Sequence, residues 1–488
     1  KVNAEDDITA VLVSGGGAAG GNTGVGGSIG VATLLGSTKA TIGDNAKVNA
    51  RGNREAATVY TGETVFSDTS TKPTTKTFLA KKTEAAKGLS VTAYNRENLV
   101  TTVIGGAGGG TAGVAATVSA AVIATTSEAS IGQGARINEN NAAAGADQQV
   151  RVKAVDEALL IDAAGAGAGG GTAGVGAAAN VSVIAKTTTA KIGKKSIVNA
   201  KKAVELDAAS SDVSVTATFG LAGGGSAGVG GSVAGVGVAN TTQAYIEDAT
   251  IAGDAAKINV SAGDLELKAN EFSSSWLVTG AGGGGGSAGV GVSLAVGVNA
   301  STTKAKIGDY AETNASGTTL VHADSVENLN TITVAGAGGG AAGVAGTISA
   351  SIVVSNTEAG IGKNAKVNKD NSFANAAQSV DVKATDRVIT VSAGGAGAGG
   401  GSAGVGATLD VTFAKNTTSA YIDNGAEVNA GKDVLVDASS EKYVNSVTIA
   451  GAGGGAAGVA GAVSVIAVGS LLDGEAKSGL QNGGAANY

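Results

Sequence analysis

The sequence predicts an all-β fold: an elongated β-solenoid, a right-handed parallel β-helix built from Gly/Ala-rich repeats of about 54–61 residues with two turns per repeat. Three observations lead there. A Gly-Val pair recurs at Gly24, Gly113, Gly174, Gly228, Gly289, Gly343, Gly404 and Gly458, at intervals of 89, 61, 54, 61, 54, 61 and 54 residues. Self-similarity at a locked period marks stacked units, each burying its apolar face on its neighbours. Hydrophobic residues make up 43% of the chain but aromatics only 3%. The apolar content is thus Ala, Val and Ile, which suits thin, closely packed strands. Finally, apolar residues alternate at period two, with no helical period.

Residues 331–386 show one unit. A strand at 331–334 runs into the glycine cluster 335–340. A second strand, 344–352, carries Val344, Gly346, Ile348, Ala350 and Ile352 on one face and Ser349 and Ser351 on the other. A third lies at 357–362 and a fourth at 380–384. Aligned repeats show an inward column in the third strand: Thr188 and Thr303, then Ala190 and Ala305, then Ile192 and Ile307, with equivalents in every other copy. The column between is polar and varied (Lys39, Glu128, Thr189, Gln243, Lys304, Glu358, Ser419). Identical small residues at identical phase suit in-register stacking. An asparagine recurs after the next turn, at Asn49, Asn138, Asn199, Asn259, Asn314, Asn368 and Asn429. Asparagine tolerates left-handed backbone angles and forms amide ladders when stacked, so a turn ladder is expected there.

Glycine in a strand costs roughly 0.5–1 kcal/mol relative to alanine. Clusters at one phase imply a compensating close approach of two backbone layers, a seam along the stack. The alternative is mobile loops on one edge. A 54-residue unit divided into two turns of about 27 residues would give roughly sixteen turns and a rod of about 75–80 Å.

The first interval carries a surplus, between Asn49 and Leu89, holding Tyr60, Phe66, Pro73 and Phe78. It reads as a β-hairpin arm or projecting loop. Such an insertion is either a contact element for a receptor or neighbouring subunit, or a cover for an apolar edge. The expected organisation is a first repeat over 1–49, the arm over 50–88, continuous repeats over 89–470 and a degenerate tail over 471–488. The chain opens inside a repeat and contains no Met, so it is expected to be part of something larger.

Composition excludes several functions. Net charge is −7 and no basic run exceeds Lys81-Lys82 or Lys201-Lys202, which argues against nucleic acid. No stretch suits a membrane-spanning helix, and aromatic girdles of a membrane barrel are lacking. The absence of Cys removes disulfides and thiolate metal sites. His322 is the single histidine and aligns with an outward column, so neither a triad nor a zinc site is expected. No cofactor is expected, and the chain is read as a non-enzyme. A β-helical carbohydrate-active enzyme remains an alternative by fold analogy alone. Paired threonines such as Thr187-Thr188 read as a buried hydroxyl ladder in preference to an ice-binding face, and Trp276 as a packing residue.

The segments 282–307 (GGGGGSAGVGVSLAVGVNASTTKAKI) and 165–192 resemble the repeats of leukotoxin-type filamentous adhesins of fusobacteria and related anaerobes. The resemblance covers nearly all of the chain except about 50–88. It implies a large secreted or surface protein, an autotransporter-type passenger with a β-helical stem. The expected function is an extracellular structural or adhesive stalk or fibre at a bacterial surface, with end-to-end self-association and a host or bacterial receptor as possible partners. A passenger segment of a secreted leukotoxin-like toxin is the alternative. No functional residue is carried over, because the repeat is a scaffold motif.

Overall fold

The computed structural model describes residues 1–60 and 83–469 and is a parallel β-solenoid. Among the described residues each coil gives one strand to each of three sheets, save the eighth, which gives none to the third. The first sheet stacks Val2–Gly20, Thr83–Gly109, Gln148–Gly170, Ala203–Gly224, Asp264–Gly285, Thr318–Gly339, Ser379–Gly400 and Val434–Gly454. The second stacks Thr23–Ile42, Ala112–Ile131, Ala173–Ile192, Ala227–Ile246, Ala288–Ile307, Ala342–Ile361, Ala403–Ile422 and Ala457–Val468. The third is narrow: Lys47–Val48, Arg136–Ile137, Ile197–Ala200, Lys257–Val260, Glu312–Ala315, Lys366–Val367 and Glu427–Val428. Stacked strands are parallel and in register, like upon like: Ala129, Ala190 and Ala244 are ladder neighbours, as are Ile131, Ile192 and Ile246.

One repeat makes one coil, not two turns. Ala112–Ile131 pairs with Ala173–Ile192, a full repeat away. The strands expected at 344–352 and 357–362 are one continuous strand, Ala342–Ile361. The intervening Val353, Val354, Ser355 and Asn356 include no Gly or Pro to break it. Likewise 331–334 is the middle of Thr318–Gly339. Eight coils at about 4.8 Å span roughly 35–40 Å, whereas a 20-residue strand spans about 65 Å. The described stack is therefore wider than it is tall, in place of the expected 75–80 Å rod.

Each coil reverses at its glycine cluster, and the two broad sheets meet there backbone to backbone. A Cβ on Gly113 would lie 2.2 Å from the Gly169 carbonyl oxygen, on Gly228 2.2 Å from that of Gly284, and on Gly343 2.3 Å from that of Gly399. No side chain fits that gap, so the clusters are a packed seam and not mobile loops. Away from the seam the buried side chains grow: Ala115, Ala166 and Ala178, then Leu99, Leu160 and Ile184, then Ile131, Ile192, Val152 and Leu206 where the third sheet closes a triangular core with Val198 and Ile258.

From the second to the sixth coil the recurring asparagine takes two conformations, and they go with the length of the loop that follows. Asn138 and Asn368 are left-handed, at φ 55° and 56°. There the third-sheet strand is cut to two residues and a longer loop follows. Asn199, Asn259 and Asn314 lie within four-residue strands. Asn314 Nδ2 donates to Asn259 Oδ1 and Asn259 Nδ2 to Asn199 Oδ1, both at 3.0 Å, forming an amide ladder over three coils.

The insertion begins as an antiparallel pair. Ala57–Tyr60 pairs with residues 83–86, Ala57 opposite Ala86 and Tyr60 opposite Thr83. Val59 is buried, and Arg151 bonds Glu84, fastening the base of the arm to the stack. Phe66, Pro73, Phe78 and the tail 471–488 lie outside the described residues. Among the described residues no helix is long and apolar enough to cross a membrane.

Candidate functional site

Two features of the coils have no purely architectural explanation: an ionic stripe inside and an aliphatic face outside. The stripe lies between the two broad sheets. Each coil from the second to the seventh contributes one acid to it, Glu97, Asp156, Asp212, Glu271, Glu327 and Asp386, all buried, and the third and seventh coils bury a further acid nearer the seam, Asp162 and Asp410. The acids alternate between two adjacent columns of the first sheet, so no two are direct ladder neighbours. Asp156 stacks on Asn95 and Ser210, and Asp212 on Ala158 and Ser273. This zigzag keeps like charges out of the closest positions, where repulsion in a dry interior is strongest.

The second sheet supplies the partners. Thr125 and Ser127 donate to Asp156 Oδ2, both at 3.0 Å. Ser355 and Thr357 donate to Asp386 Oδ2 at 2.6 and 2.9 Å. Asn240 and Thr242 donate to Glu271, both at 2.6 Å. Lys186, wholly buried, places Nζ 2.5 Å from Asp212 Oδ1 and 3.5 Å from Asp156 Oδ1, and donates to the backbone carbonyls of Asp156 and Ser211 at 2.8 and 3.0 Å. Burial alone would lower the Lys186 pKa, but Asp212 and Asp156 together raise it. Neither carboxylate oxygen of Glu97 has a hydrogen-bond partner. Burial, with repulsion from Asp156, pushes Glu97 up to about 9. Burial and Asp386 push Glu327 up to about 8, and burial and Asp212 push Glu271 up to about 7.

These acids hold protons more tightly folded than unfolded, so their contribution to stability is complete below about pH 4 and is lost as pH rises through about 7–9. Thermal stability should therefore fall from pH 5 to pH 10, by up to about 1.4 kcal/mol per pH unit for each acid that titrates. Glu97→Gln combined with Glu327→Gln should flatten the profile. A melting temperature of the native protein that does not change with pH would mean that the stripe is hydrated.

The outer face of the second sheet carries the opposite chemistry. Five columns, headed by Val25, Gly27, Ile29, Val31 and Thr33, run through all eight coils. The first is valine in every coil: Val25, Val114, Val175, Val229, Val290, Val344, Val405 and Val459. Apart from Thr33, every position in the five columns is Gly, Ala, Val, Ile, Leu or Phe. Val181, Val233 and Ile348 are 52%, 48% and 45% exposed even in inner coils. Contiguous apolar surface beyond a few hundred Å² marks an interaction site. The first sheet is also apolar near the seam, with Ile104, Phe219 and Val334 exposed, whereas its far end carries an ionic lattice. There Lys153 lies 3.5 Å from Glu205 and 3.6 Å from Asp207.

No protein-family model, curated protein or solved structure matches this chain.

Thr188, Ala190, Ile192, Thr303, Ala305 and Ile307 are fully buried on the inner face of the second sheet, and Asn199 and Asn314 stand half-buried in the third. Of the arm residues only Tyr60 is described, at the end of its short strand. Trp276 sits outward, 43% exposed in mid-strand, beside Val215 and Asn330. His322 occupies the outward column, stacked between Lys268 and Lys383. It is half-buried and not freely solvated, and it does have an acidic neighbour in Asp324. Burial lowers its pKa and Asp324 opposes that shift. The ionic stripe was missed in the sequence, yet a signal existed: Glu97, Asp212 and Glu327 are 115 residues apart, as are Asp156, Glu271 and Asp386. That is the sum of one long and one short interval.

Proposed function

We propose that this chain is a structural and adhesive segment of an extracellular fibre or stalk at a bacterial surface. The observation that carries the reading is the stacking of one coil on another in register through all three sheets. Such a stack extends along one axis, either in a longer chain or by addition of further copies, because each coil presents the same backbone ladder to the next. The buried acids support a structural role. All but Glu97 are engaged by Lys186 or by threonine, serine and asparagine side chains, and all lie between the sheets, where no polymeric substrate reaches them. The resemblance to filamentous adhesin repeats agrees. The arm based on Ala57–Tyr60 is the candidate receptor contact.

Antibodies against residues 89–469 should label intact bacteria that make the native protein, and electron microscopy of that surface should show elongated projections. Labelling only after the cells are lysed would overturn the reading.

A further inference from the structure

We propose that the outer face of the second sheet is an interface between two copies of this chain, packed face to face. This is lateral pairing, and it does not depend on how coils continue along the stack.

The first argument is area. Five columns about 6.7 Å apart and eight coils about 4.8 Å apart cover roughly 1,200 Å² on each copy. Pairing buries roughly 2,500 Å² in total, the size of an obligate homodimer interface and well above a crystal-type contact. The second is shape. The Val25 and Ile29 columns are ridges of Val, Ile and Leu, interrupted only at Ala179. Between them runs the Gly27 column, which is Gly or Ala in every coil except at Val292. A ridge on one copy can enter the groove on another, as in dry packing of stacked in-register sheets. A two-fold rotation brings the same patch against itself, so the contact closes.

The third is the rim. Beyond the face runs an outward threonine column, including Thr126, Thr187, Thr241 and Thr302, and then paired charges. Lys191 lies 2.8 Å from Glu128, and Lys304 lies 3.0 Å from Glu358. An apolar centre with a neutral polar rim is the anatomy of a protein interface. A lipid-facing surface would carry interfacial aromatics, and Phe413 is the single aromatic in the five columns.

Sedimentation velocity of the full chain should show a dimer at micromolar concentration. Val181→Lys with Val233→Lys should raise the dissociation constant by at least roughly 100-fold, because pairing would bury unpaired ammonium groups. Both side chains point to solvent in the single copy, so circular dichroism and melting temperature should be unchanged. Val233 stands at the centre of the face, and the chain has no cysteine. Val233→Cys should therefore form a covalent dimer on mild oxidation. A native chain that stays monomeric at several hundred micromolar would overturn the proposal, as would dimers indifferent to both lysines. Flotation of the native chain with phosphatidylcholine–phosphatidylglycerol vesicles, abolished by the same lysines, would assign the face to a membrane and equally overturn it.

Discussion

Lys186→Met should destabilise the protein by about 3–5 kcal/mol, the usual effect of leaving a buried charge without its partner. The ammonium is wholly enclosed and answers two acids, Asp212 and Asp156, that are equally buried. Methionine keeps the volume and removes the charge, so two carboxylates would face each other without a cation. Denaturant unfolding measures the loss. Adding Asp156→Asn and Asp212→Asn to Lys186→Met should recover most of it, since replacing an entire buried ionic group is often close to neutral. If Lys186→Met alone cost less than about 1 kcal/mol, water would have to reach the stripe and the dry ionic interior would be wrong.

Gly228→Ala should cost about 3 kcal/mol, while Gly284→Ala should be neutral or slightly stabilising. The two glycines face one another across the seam, yet they differ completely. A methyl on Gly228 would stand 2.2 Å from the Gly284 carbonyl oxygen, a backbone atom held in the neighbouring strand. A methyl on Gly284 would point outward and meet nothing within 4 Å. Alanine there removes conformational freedom from the unfolded chain without a clash. Equal melting temperatures for the two variants would contradict a backbone-to-backbone seam.

The contrast shows what was legible in the residues. The alternating Thr, Ala and Ile columns specify which face of the second sheet is buried, because a strand has a period of two and a slip of one residue would turn every side chain over. Stacked identical residues specify the register. The coil itself was misread. Residues 344–352 and 357–362 look like two strands when judged by local pattern, and four such strands suggest two turns. Nothing in a local window says that a strand will run unbroken for twenty residues. The glycine cluster forms the reversal between the two broad sheets, and a tight turn such as Gly362 to Ala365 leads from the second sheet into the third.

The candidate site was less legible, for a physical reason. Glu97, Asp156 and Lys186 are charged residues in strands, and single-residue chemistry places such groups in water. They are inside because alternation forces one face of each strand inward whatever the side chain, and because partners from the facing sheet arrive with the fold. The valine of each Gly-Val pair was similarly ambiguous. Its glycine faces the seam, so the valine must face outward, and only the close approach of the two sheets decides that.

By itself the sequence determined that one unit repeats, that it is built of strands, and that copies stack like on like. Those follow from period and alternation, which are properties of the chain. The tertiary structure alone decided that a repeat is one coil, that a chain of acids runs through the interior, and that an aliphatic surface lies outside. Those depend on which strand faces which, and distances between residues far apart in the chain are set by packing rather than by local pattern.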